Sequence, residues 1–287
     1  MNIKIWSGFL VTCLCLTIAS PVLSADCTAL KKAFKQERNL KQRRILIADA
    51  VSQCPDDPDI NYKYGLSLER FREYEKALGH YQKAVIINPQ MAKGHAGMGD
   101  VYIYLGLLDE AIAAYEKAIR NESGNKRYDG RYARLVIKRK ALRGEVLTVS
   151  DFIKVMDNRR KISTNMSLFL LGPALQYHIA FVENSATLQD KGISQLMAIG
   201  KAMHNESLQR ARFEISAHVS TALSSLTALE DSKVRAKMIK DHLVTNYQID
   251  PKRLEVTWYG DEQPLVTGKI EGVSAVNERV EFKRIKE

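Results

Sequence analysis

A period of 34 residues constrains this chain more than any other feature. Gly65 and Gly99, Ala77 and Ala111, Tyr81 and Tyr115, and Ala84 and Ala118 stand 34 residues apart, and Pro89 closes the first unit. Small residues at fixed places in such a period specify stacked helix-turn-helix units. A Gly or Ala lets paired helices approach closely, while Tyr74, Tyr81 and Tyr115 fill the space between them. Two units are clear, 58–91 and 92–125, and a degenerate one fits 26–57, with Ala50 and Pro55 in register and Lys31 at the glycine position.

The pattern resembles the tetratricopeptide repeat family, whose chemistry is binding. The resemblance implies that the first helix of each pair lines a concave groove. That face presents Asp59, Tyr62, Leu66 and Glu69, then Lys93, Ala96, Asp100 and Ile103. On these residues the groove is mixed to acidic and suits a protein segment carrying basic and apolar side chains.

The first 25 residues have the form of an export signal. Lys4 and the amino terminus supply positive charge, Ile5 through Ala19 is mostly apolar, and Ser20-Pro21 precedes small residues at Ser24-Ala25. Export makes the surroundings oxidising and leaves Cys27 and Cys54 as an even pair once Cys13 and Cys15 depart with the signal. Joined, they would stabilise the amino-terminal unit by about 3–4 kcal/mol in the chain-entropy picture; two separate buried thiols are the alternative. No His neighbours them, so no metal site is expected, and no transmembrane span is expected after signal cleavage.

The 287 residues suffice for two cores, and the formal charge of +10 is the one compositional oddity. Most of that charge lies between Lys126 and Lys161, where 12 Lys or Arg face 4 acids. A helix from Arg127 to Leu142 is expected to cap the last repeat, burying Tyr132, Leu135, Val136 and Leu142. Ser150 with Asp151 is expected to cap a second helix. No aromatic stacking pattern accompanies the charge, so nucleic acid is not the expected partner. A solvated basic face, or contact with anionic wall polymer or headgroups, fits better.

From Gln176 onward the spacing alternates between strand and helix. Strands are expected over 176–182, 212–219, 253–258 and 279–284, and helices over 188–203 and 233–247. This is an α/β sandwich with helices on one face of a mixed sheet. Ile179-Ala-Phe181, Asn184 to Leu188, Phe213-Glu-Ile with His218, and Ser232 to Ala236 come first; Ile249 to Leu254, Tyr259 to Pro264 and Asn277 to Phe282 follow. Together they resemble the OmpA-like peptidoglycan-binding domain of Gram-negative envelope proteins. The resemblance implies a pocket for the carboxylate and amine of diaminopimelate, formed by an Asp after a Gly-His-Thr turn and by the Arg preceding Ala in the helix. Here Arg235 supplies the guanidinium and His218 the turn, but Ser220 replaces the Asp. Ala217, Val219, Ala228, Asp231, Trp258 and Glu278 depart from the pattern too, and Glu278 stands where the first Arg of a pair is usual. An internal salt bridge to Asp231, one turn earlier, is the competing role for Arg235.

Catalytic patterns are thin. The 6 histidines are scattered without a metal-ligand pair, Ser123-Gly-Asn-Lys126 lacks companion motifs, and there is neither a phosphate-cradling Gly-rich loop nor a nucleophile elbow. No cofactor is expected. The expectation is therefore a non-enzymatic adaptor of the periplasm, associated with the outer membrane or cell wall, that joins an unidentified envelope protein to peptidoglycan. Its parts would be a signal peptide (1–25), helical repeats (26–125), a basic capping helix and connector (126–168) and an OmpA-like domain (169–287). A scaffold whose last domain has lost peptidoglycan is the alternative.

Overall fold

Side-chain caps set the first three helices. Asp26 accepts from the amides of Thr28 and Ala29 to begin α1 (Cys27–Gln36), and Asn39 does the same for α2 (Leu40–Gln53). Asp57 then caps α3 (Pro58–Arg70), with Pro58 in the first turn where its missing N–H is not needed. The computed structural model describes residues 26–157, 172–183, 185–220, 224–265 and 277–285. The expected signal segment and the end of the basic connector, with Arg159, Arg160 and Lys161, lie outside the described residues, as does Asn184.

Three antiparallel pairs follow the 34-residue period: α1 with α2, α3 with α4 (Tyr74–Ile87), and α5 (Ala92–Leu105) with α6 (Leu108–Asn121). The spacing of glycine and tyrosine has a direct steric cause. A Cβ on Gly65 would come within 2.8 Å of the Tyr81 ring, and one on Gly99 within 2.7 Å of Tyr115. Both tyrosines are fully buried, so the rings occupy the volume that glycine leaves. A disulfide joins Cys27 to Cys54 with their Cα atoms 6.0 Å apart, tying the first helix to the end of the second.

Helix α7 (Lys126–Leu142) was expected as a cap and does more. Tyr128 and Leu135 join the core of the last repeat, whereas Ile137 and Ala141 join the core of the sheet domain. At 3.6 residues per turn these two pairs fall on opposite sides of the helix, so α7 is sandwiched between the two halves of the protein. Tyr132, Val136 and Leu142 are half-buried rather than buried; Leu135 alone of the expected four is fully enclosed. The next helix, α8 (Val149–Met156), is capped by Thr148 and not by Ser150. Asp151 sits at the third helical position and completes a reciprocal capping box with Thr148.

Among the described residues the carboxy-terminal half has a four-stranded sheet in the order β1-β4-β2-β3. Its strands are β1 (Ala174–Tyr177), β2 (Arg212–His218), β3 (Leu254–Gly260) and β4 (Arg279–Ile285). The β2–β3 pair is parallel and the other two are antiparallel. Helices α9 (Asp190–Met203) and α10 (Ser225–Tyr247) pack with α8 over Phe213, Ile215 and Phe282. This is the expected sandwich, with three differences of extent. Strand β1 stops at Tyr177 because the His178 amide leaves the sheet to bond the Ala141 carbonyl of α7. Helix α10 begins earlier than position 233 because Ser224 caps it, accepting from the Thr227 amide at 3.1 Å. Strand β3 runs two residues further, to Gly260, whose φ of +52° turns the chain under α10.

Candidate functional sites

Two clusters gather the candidate residues, one in the groove of the repeats and one at the end of the sheet. In the groove, alternate use of the first helices places Asp59 and Tyr62 on α3 beside Lys93 on α5. Lys93 is ion-paired with Asp59 and lies 5.0 Å from the centre of the Tyr62 ring. Glu69 accepts a 2.7 Å hydrogen bond from the Tyr81 hydroxyl; burial raises its pKa, partly offset by that bond. Leu66 is half-buried at the groove floor.

Three expected groove residues are placed otherwise, among them Ala96, which is buried in the core of the last repeat. Ile103 is wholly inside the repeat core and shows no side-chain surface to the groove. Asp100 is buried and accepts from the Tyr115 hydroxyl, from Arg131, and from Arg127 at 2.7 Å. Both arginines come from α7, so part of the basic segment is consumed in neutralising one buried acid. Lys138 is also turned inward, donating to the Gly172 carbonyl at 2.8 Å, and burial drives its pKa well below the ordinary lysine range.

At its amino-terminal end the groove is more basic than the residues of α3 and α5 alone suggest. Between α1 and α3 it is lysine-rich, with Lys31, Lys32, Lys35, Lys63 and Lys93 around a hollow that contains one acid, Asp59. The degenerate repeat, whose α1 carries no groove signal in its sequence, supplies three of those lysines.

At the end of the sheet, α10 brings Arg235 over the Phe181 ring, with the guanidinium 4.7 Å from its centre. The side chain is only 11% exposed. Its Nε donates to the Ser185 carbonyl and its Nη1 to Glu278 Oε2, each at 3.3 Å. The internal partner is thus Glu278, which immediately precedes β4, not Asp231, which is exposed on the helix. The residue standing in place of the usual Arg now neutralises the pocket Arg.

Ser220 lines a small recess with Gly260, Asp261, Gln263 and Asn277. The turn beneath it is fixed by the Gly260 amide donating to Ser232 Oγ at 3.0 Å, and by Ser225 Oγ donating to Asp261 at 2.9 Å. Asn277 and Glu278 are consecutive, so the segment entering β4 connects this recess to Arg235. Asp261, Asn277 and Glu278 lie in the family-like stretches without standing out there as site residues; their adjacency depends on the fold rather than on spacing.

His218 is separated from Arg235 by the sheet. Alternation along β2 sends Phe213 and Ile215 into the helix-covered core and His218, with Glu214 and Ser216, to the other face. There it stacks on Tyr259, with ring centres 5.2 Å apart, and lies 3.6 Å from Glu281. Arg279 holds the same carboxylate at 2.8 Å. Burial pushes Glu281 upward, but His218 and Arg279 outweigh it and leave its pKa below the ordinary value. His218 is therefore 2% exposed and part of a buried charged stack rather than a wall of the Arg235 pocket. Among the described residues there is no cluster of His, Cys, Asp and Glu able to hold a metal, and no helix long and apolar enough to cross a membrane.

The architecture defines a class: a helical-repeat scaffold fused through a shared helix to a mixed-sheet α/β domain. Family comparisons give the same division, with tetratricopeptide repeat models matching residues 42–92 and 92–125 and the OmpA family model matching 180–278. The chain carries tetratricopeptide repeats followed by an OmpA domain. A TPR repeat-containing protein of Methanocaldococcus jannaschii is 37% identical over 83 residues, which is 28% of this chain and 14% of that protein. Among solved structures, the cell wall anchor of the T6SS from Pseudomonas aeruginosa is 21% identical, covering 40% of this chain and 80% of that one, with a TM-score of 0.34. The periplasmic domain of Helicobacter pylori MotB is 20% identical, covering 39% and 73%, with a TM-score of 0.33.

Proposed function

We propose that this protein is an exported, non-enzymatic adaptor of the Gram-negative cell envelope, with repeats that hold a protein partner and an OmpA domain that associates with peptidoglycan in the periplasm. The observation that carries the reading is Arg235, a guanidinium on an aromatic floor at the mouth of an OmpA fold. A ligand carboxylate would displace Glu278 and take the same donors in a charge-assisted contact. The ammonium of the ligand would meet Ser220 and the Asp261 carboxylate that lines the same recess. Loss of the family Asp removes an interaction of about 1.5–3 kcal/mol, so association is about ten- to hundredfold weaker than in a domain with the full pair.

One observation favours a second reading. Arg235 is already paired within the chain, which suits a domain that has turned from peptidoglycan to scaffolding. Cosedimentation with purified sacculi separates the two. Pelleting of the full chain that falls in Arg235→Ala supports the adaptor with a wall ligand. Equal pelleting of both, abolished by moderate salt, leaves the basic surface as the cause and the second reading in place.

A further inference from the structure

From the charge lining the repeat groove, we infer that its partner is an acidic peptide segment carrying interspersed apolar side chains, and that it seats at the amino-terminal end between α1 and α3. This rests on the adaptor reading and assigns the partner's chemistry. Two adjoining hollows form the seat, of about 650 Å³ and about 240 Å³, and they share Phe34, Lys35 and Lys63. The larger carries the five lysines and the smaller adds Arg43 and Arg70. Lys31 and Lys93 are matched by Asp57 and Asp59. Among the described residues no carboxylate forms an ion pair with Lys32, Lys35, Lys63 or Arg70.

The excess is felt inside the groove. Burial lowers the pKa of Lys63, and the positive charges of Lys93, Lys35 and Arg70 lower it further. Lys35 and Lys63 border both hollows, whose lining holds one acid, Asp59, already paired with Lys93, and a carboxylate placed between Lys35 and Lys63 would relieve that repulsion. The floor is apolar as well. Phe34 lies beneath both hollows, Leu66 borders the smaller one, and Leu40 and Phe71 remain 52% and 39% exposed beside it.

Cations interleaved with apolar surface in a concave cleft select a ligand that offers both features along a narrow chain. A polysaccharide would satisfy the charge but leave Leu40 and Phe71 exposed. A bilayer is too flat to enter between two helices. The acidic peptide is the occupant that meets all three conditions.

The test is fluorescence anisotropy of the full chain with a labelled peptide alternating Glu and Leu. Its counterpart with Lys for Glu, heparin, and vesicles containing anionic phospholipid complete the set. Binding of the acidic peptide is expected, weakening with added salt and falling about tenfold or more in K35E/K63E. The control K117E/K201E, which reverses two exposed lysines elsewhere, is expected to stay within about twofold. Circular dichroism and a thermal scan check that both variants fold. Undiminished binding by K35E/K63E would overturn the assignment of the seat. Binding of the basic peptide instead, lost in D59K/E69K, would overturn the acidic partner while sparing the adaptor reading. Binding only to heparin or vesicles would overturn both.

Discussion

Asp100 and Arg235 are the two buried charges that sequence reasoning placed in binding sites, and the structure gives them opposite degrees of satisfaction. Asp100 is 9% exposed and receives donors from Tyr115, Arg127 and Arg131, two helices contributing to one carboxylate. Arg235 is 11% exposed and has two long contacts at 3.3 Å, one of them to a carboxylate that is itself 39% exposed. Burial alone does not distinguish them. A buried charge whose hydrogen-bonding capacity is filled by its own chain is a structural fastener. One with a partial, solvent-reachable partner can exchange that partner for a ligand.

The sharpest way to break this contrast is Asp100→Ala. It would leave Arg131 buried without its counter-ion and remove the acceptor of Tyr115, for an expected loss of about 3–5 kcal/mol in denaturant unfolding. A loss below about 1 kcal/mol would put Asp100 in the same class as Arg235. Arg235→Ala is expected to lose only about 1 kcal/mol of stability, from the ion pair and the contact with Phe181, while sacculus pelleting drops about tenfold. If stability falls as far as in Asp100→Ala, the guanidinium is structural. Glu278→Gln removes the competing carboxylate and is expected to shift stability by less than about 0.5 kcal/mol while raising pelleting; reduced pelleting would mean that Glu278 belongs to the binding surface.

The smallest effect concerns the face of the sheet away from α10. Glu281 has a depressed folded-state pKa against its ordinary 4.5, so its contribution is present in full above pH 4.5 and lost as pH falls through the lower folded value. Titrating unfolding free energy below that point in the native protein and in Glu281→Gln is expected to show a flatter acid limb in the variant. Equal slopes would detach the His218–Glu281–Arg279 stack from acid stability.

Much of the scaffold was legible because local periods report local faces. The interval between Gly65 and Gly99 located the stacked helices, and alternation through Phe213 and Ile215 located a strand with one buried side. The same alternation, followed one step further, would have put His218 on the opposite face from Arg235. What the pattern could not supply were partners across long intervals. Glu278 reaches Arg235 over 43 residues, and Arg131 reaches Asp100 over 31. Such pairs are set by how finished elements pack, a step after periodicity has been spent. The lysines at the amino-terminal end are hidden for a related reason: α1 lacks the family's glycine, yet its lysines line the same hollow as Asp59, Lys63 and Lys93.

Helix α7, with one side in each core, fixes how the molecule would carry tension. A pull exerted by a partner on the repeats would pass through the side of α7 that packs in the last repeat to the side that packs in the sheet core. Ile137 and Ala141 are set into the sheet core, and the Lys138 contact with Gly172 acts as a rivet on the same length of helix. The protein is built as a strut rather than as two beads on a string. Its halves should therefore yield together, in one mechanical or thermal event, rather than one after the other.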